Sequence, residues 1–65
     1  MTESELELRR RMAGLTMADL ASRANVPYSR VWHGLRGTRL TADELRKLER
    51  AVTAIETANI RTAAV

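Results

Sequence analysis

Gly14-Leu-Thr-Met-Ala-Asp-Leu-Ala-Ser-Arg-Ala-Asn-Val-Pro-Tyr-Ser-Arg-Val-Trp-His-Gly-Leu-Arg-Gly37 is the stretch whose reading decides the fold. It reads as two short helices joined by a tight turn. Thr16 and Asp19 have the spacing of a capping box, so a helix is predicted over 17–24. Its inner face is Leu20, Ala21 and Ala24, and Ala21 is small enough to admit a crossing helix. Asn25 tolerates the left-handed conformation that a short turn needs. Pro27 suits the first position of the next helix, where its missing N–H costs nothing. That helix is predicted from Pro27 or Tyr28 to about Arg36. Val31 and Leu35 face inward under Val26, Tyr28, Ser29, Arg30, Trp32 and His33 stay outside or at the margin, and Gly37 ends it. Two capped helices around such a turn have the outline of a helix-turn-helix.

The flanks extend the same pattern. A first helix is predicted over 3–13, opened by Glu3, Glu5 and Glu7 and closed by Arg9, Arg10 and Arg11, an order that suits the helix dipole. Thr2 with Glu5 and Ser4 with Glu7 both fit a capping box. Gly14 suits a left-handed stop with Leu15 folding back. Two inner stripes are open to this helix: Leu6, Met12 and Ala13, or Leu8, Met12 and Leu15. A last helix is predicted after Thr41, with Thr41 and Glu44 as its capping box. Leu45, Leu48, Val52 and Ile55 follow its 3.6-residue period. From Ile55 to Val65 the pattern thins, and the segment either continues the helix or frays. The fold class is all-α, a bundle of four or five helices in one domain over residues 1–65.

Composition limits function. Sixty-five residues bury only about 60% of their unfolded surface. There is no cysteine to form a disulfide or thiolate metal site, so a partner subunit is the cheapest source of extra stability. One histidine leaves no metal site in prospect. With no paired carboxylates in a pocket and no glycine-rich phosphate loop, the chain does not read as an enzyme, and neither a cofactor nor a small-molecule ligand is implied. The first dozen residues lack the apolar core of a secretory signal. No apolar run approaches the ~20 residues of a membrane span. The expectation is a cytoplasmic protein. The charge is +3 overall, but between Asp19 and Asp43 stand Arg23, Arg30, Arg36 and Arg39 with no acid among them. Such a basic segment attracts phosphate.

Gly14-Leu15-Thr16, Leu20-Ala21, Ala24-Asn25-Val26, Val31 and Arg36-Gly37 together resemble the Cro/cI-type helix-turn-helix repressor domain. The resemblance covers roughly residues 6–52. It implies a bacterial or phage-encoded protein that reads double-stranded DNA by laying its third helix in the major groove. Four positions depart from the family pattern. Met17 stands where glutamine is usual, Asn25 where glycine is usual, Gly34 where an inward apolar residue is usual, and Leu35 where an acidic residue often pairs with the first-helix arginine. Arg10 matches that arginine and is therefore expected to be free for phosphate. Gly34-Leu35 implies a third helix rotated, bent or shortened near its end.

By matched position, Tyr28, Ser29 and His33 fall where the family reads base edges. Arg30 lies beside them and can donate two hydrogen bonds to a guanine, with a phosphate contact as its alternative. Arg10, Thr16, Met17, Arg36, Thr38 and Arg39 are the phosphate-binding candidates, and Arg23 and Arg46 are weaker ones. Three placements are open to Trp32: half-buried against the last helix, at a dimer interface, or over the sugar–phosphate backbone. Repressors of this type bind as two-fold dimers on paired half-sites. The seam is expected at Val52, Ile55, Ile60 and Val65, with Trp32 or Leu40 contributing. The expected function is a dimeric repressor on a palindromic operator. The alternative is a protein-binding regulator, antiactivator or antitoxin-like, on the same fold.

Overall fold

The computed structural model describes residues 2–37 and 39–63. Four helices and no strand occur among them: α1 (Glu3–Met12), α2 (Met17–Ala24), α3 (Tyr28–Leu35) and α4 (Ala42–Ala63). No helix is long and apolar enough to cross a membrane. The expected bounds of α2 are met at both ends. Pro27 stands one position outside α3, as its N-cap, and α3 stops at Leu35.

The helix ends follow from their capping residues. The Thr2 hydroxyl accepts from the Glu5 N–H at 3.2 Å, and the Thr16 hydroxyl accepts from the Asp19 N–H at 3.0 Å. At Thr41 the box is reciprocal. Its hydroxyl accepts from the Glu44 N–H at 3.1 Å, while its own N–H donates to the Glu44 carboxylate at 2.9 Å. Each such cap contributes about 1 kcal/mol. The stops of α1 and α2 share one geometry. In α1, Gly14 takes φ +76°, its N–H donates to the Arg11 carbonyl, and the Leu15 N–H donates to the Arg10 carbonyl. In α2, Asn25 takes φ +56°, its N–H donates to the Ser22 carbonyl, and the Val26 N–H donates to the Ala21 carbonyl. Both are Schellman stops, and the residue after each left-handed position, Leu15 or Val26, is buried as the motif's hydrophobic contact.

The core is aliphatic. Leu6, Leu20, Val31, Leu48 and Val52 are fully enclosed, joined by Leu15, Leu35, Leu40 and the small Ala21, Ala24 and Ala51. The alanines let α2 lie close on α4. Of the two stripes open to α1, Leu6 with Ala13 turns inward, while Leu8 and Met12 remain exposed.

The packing around position 34 accounts for a glycine there. Gly34 is buried, and the Leu40 side chain fills the space that a Cβ on residue 34 would occupy. The core is completed by a leucine from the α3–α4 connection in place of one from α3. Leu40 is therefore core and not a dimer contact. Its position is fixed further by Glu3, whose carboxylate accepts from the Leu40 N–H at 3.1 Å. That bond is the main reason the Glu3 pKa lies below its ordinary value, and Arg39 lowers it further.

The last helix continues through the segment where fraying was one expectation. It runs for 22 residues, about 33 Å at 1.5 Å per residue, and sets the 38 Å long axis of the molecule. Arg9 holds it to α1. Its guanidinium donates to Glu56 at 2.5 and 3.0 Å and to the Thr53 hydroxyl at 3.1 Å. Asn59 reaches the Ala13 carbonyl at 3.4 Å. The mutual bond holds Glu56 below and Arg9 above their ordinary pKa values.

Candidate nucleic-acid interface

Helix α3 has two unlike faces. Val31, Gly34 and Leu35 turn into the core. Tyr28, Ser29, Trp32, His33 and Arg36, at spacings of four along two adjacent rows, are exposed. Three of the four expected reading residues therefore share one outward surface. Trp32 lies outside the enclosed core and is 37% exposed on this same surface. The His33 ring meets it edge-on at 5.0 Å between centroids, and the Arg36 guanidinium lies 4.6 Å over its indole. An arginine stacked on an exposed indole is a cation–π pair that fixes the charge near the helix surface. Trp32 is the residue that matched position alone left out of the reading set. The signal for it was its four-residue spacing from Tyr28 and Arg36.

Arg30 departs from expectation. Its guanidinium grips Glu44, donating from Nε at 3.0 Å and Nη2 at 2.8 Å, with the side chain still 39% exposed. This is the two-pronged geometry of a strong arginine–carboxylate pair. Glu44 at once caps α4 through Thr41, so one carboxylate ties α3 to the start of α4. The Arg30 bond, then the Thr41 N–H, bring the Glu44 pKa down to about 2. The same bond raises that of Arg30. The pair joins residues 14 apart in the chain, a spacing with no local signature.

The phosphate candidates separate in the same way. Arg10 is not free. Its Nε donates to Glu7 at 2.5 Å and its Nη1 to the Leu15 carbonyl at 2.6 Å, which fastens the α1–α2 turn. The Met17 side chain is half-buried against the core, so only its backbone N–H remains for an anion. Thr16 is exposed at the mouth of α2, with its hydroxyl engaged as the cap. Arg36 and Arg39 are exposed beyond α3. Thr38 lies outside the described residues. The weaker candidates also differ: Arg23 has no ion pair among the described residues, and Arg46 reaches Asp43 at 3.6 Å.

The expected dimer seam is revised. Val52 is fully enclosed within one copy and presents no face, while Ile55 is half-buried against the same core. Ile60 is 69% exposed. With exposed Met12 it borders a hollow whose other walls are Ala13, Glu56 and Asn59. Val65 lies outside the described residues.

No protein-family model, curated protein or solved structure matches this chain.

Proposed function

We propose that the chain is a small helix-turn-helix regulator of the Cro/cI type that binds double-stranded DNA in a sequence-dependent way. In this reading the outward face of α3 enters the major groove. The observation that carries it is that face itself. Tyr28, Ser29, Trp32, His33 and Arg36 stand exposed in two adjacent rows, with no carboxylate among them, on a helix whose other side is locked into the core. A surface with aromatic, hydroxyl, imidazole and guanidinium groups and no acid suits base edges and phosphates together.

The roles follow from chemistry. Ser29 and His33 meet base edges. Tyr28 and Trp32 pack against thymine methyls or the sugar–phosphate backbone. Arg36 and Arg39, with the N–H groups at the start of α2, hold phosphates on either side. Arg30 sets the angle of α3 through Glu44 and does not read bases while that pair is formed. Palindromic operators require two copies, and the exposed Ile60 and Met12, bordering one hollow, are candidates to join them. The biological outcome is repression by occupying a promoter.

Footprinting and gel mobility on DNA flanking the chain's own gene test this reading. It requires a salt-sensitive shift at micromolar protein and a protected region with two-fold symmetry. No shift in low salt would sink it and favour the protein-binding alternative.

A further inference from the structure

A second basic surface lies away from α3. Arg23 at the end of α2 and Lys47 and Arg50 on α4 border a hollow of about 470 Å³, whose remaining walls are Ala24, Ala51 and Ala54. Arg23 and Arg50 have no hydrogen bond or ion pair among the described residues. Lys47 only reaches Asp43, across 3.4 Å at an exposed site, where such a pair is worth little. Arg9, Arg10 and Arg30, by contrast, are taken up by Glu56, Glu7 and Glu44. Here three positive groups converge on one concave surface with no acid lining it.

The position separates this surface from the DNA face. The hollow between α2 and α3 is lined from α2 by Ala18, Ala21 and Ser22 and closed by Tyr28. Arg23 and Ala24 lie on the other flank of α2, toward α4. The walls are informative too. Between the charges the floor is apolar: Ala54 is exposed and the core residues Ala24 and Ala51 show only their edges, a shallow seat for short aliphatic side chains that a phosphate backbone would leave uncovered.

We propose that this hollow docks an acidic, amphipathic segment of a partner protein. Its carboxylates meet Arg23, Lys47 and Arg50, and its short apolar side chains seat on Ala54 and the exposed edges of Ala24 and Ala51. The inference does not rest on DNA binding, since it uses a different flank and different residues. It would let the protein engage a protein partner while α3 is occupied.

The test is backbone amide NMR of the full chain titrated with a short helix-forming peptide that carries glutamates and leucines on one face. The glutamine version of that peptide is the control. The expected result is a saturable set of shifts centred on the six lining residues, absent with the glutamine peptide. Arg23→Glu with Arg50→Glu should weaken the apparent affinity by about ten-fold or more. Both side chains are exposed, so the fold should persist. If circular dichroism shows otherwise, the milder pair Arg23→Gln and Arg50→Gln carries the comparison. Three results would overturn the proposal. Shifts could spread over every basic residue, including Arg11 and Arg61, or they could centre on His33 and Arg36. Alternatively, a duplex of unrelated sequence could compete the peptide off and shift the same six amides, which would make the hollow a phosphate-backbone site.

Discussion

The two faces of α3 are built on opposite terms. On the inner face every position is spoken for: Val31 and Leu35 are core, and Leu40 crosses from the α3–α4 connection to fill the space over Gly34. On the outer face the side chains are exposed, with His33 and Arg36 gathered around Trp32. The boundary is Arg30, whose charge is taken up by Glu44. The difference teaches that a helix can hold most of its charge and aromatic area in reserve only because its other side is over-determined. Counting arginines therefore overstates what is available. Of the four in the acid-free segment, Arg30 is committed to structure, while Arg23, Arg36 and Arg39 are not.

Substitutions should separate the two faces by what they damage. The largest loss of stability is expected from Leu40→Ala, about 2–5 kcal/mol for a buried leucine whose space does not refill. Gly34→Ala should cost about 1–3 kcal/mol, because its methyl meets Leu40 and overpacking outweighs the gain in helix propensity. The double variant should lose less than the sum of the two, since removing the leucine gives the new methyl room. Urea unfolding of all three measures this coupling, and strict additivity would break the account of the inner face.

On the outer face the loss should fall on binding. Trp32→Ala is expected to weaken operator DNA by roughly ten-fold or more while leaving the unfolding midpoint nearly unchanged. A drop in stability as large as that for Gly34→Ala would place Trp32 with the core after all. Ile60→Asp is expected to lower self-association, read by sedimentation, without altering the monomer's helix content.

Smaller and pH-dependent effects belong to the boundary. The folded-state pKa of Glu44, about 2, lies below its ordinary 4.5. Its contribution is therefore fully present above about pH 4.5 and is lost as pH falls toward 2. Glu44→Gln should lower stability at neutral pH, and the gap to the parent should close on acidification through that window. A gap that stays constant down to pH 2 would mean that the Arg30 pair adds nothing.

Local features were the legible ones. Thr16, Asn25, Gly14 and Thr41 announce their caps and turns, because a cap is made by residues within a few positions of one another. The inward period of Leu20, Ala21, Ala24, Val31 and Leu48 placed most of the core. What stayed hidden was made by contacts across the chain. Arg9 with Glu56, Arg30 with Glu44 and Glu3 with the Leu40 N–H join residues 47, 14 and 37 apart. No periodicity marks such pairs, so Arg30 looked free and Leu40 looked spare; Arg10 was different, its partners Glu7 and the Leu15 carbonyl lying only three and five residues away. Val52 was misplaced at a dimer seam for another reason: one copy encloses α4 as far as Val52, further than the size of the chain suggested, and only beyond it does Ile60 stand exposed.

The central claim is that the outward face of α3 meets DNA, and the chain's only tryptophan stands on that face. Trp32 fluorescence during titration with DNA flanking the gene is the most direct measurement. A saturable change in emission is predicted, with an apparent affinity that falls steadily as salt rises. DNA binding detected by mobility shift while Trp32 emission stays unchanged would contradict it.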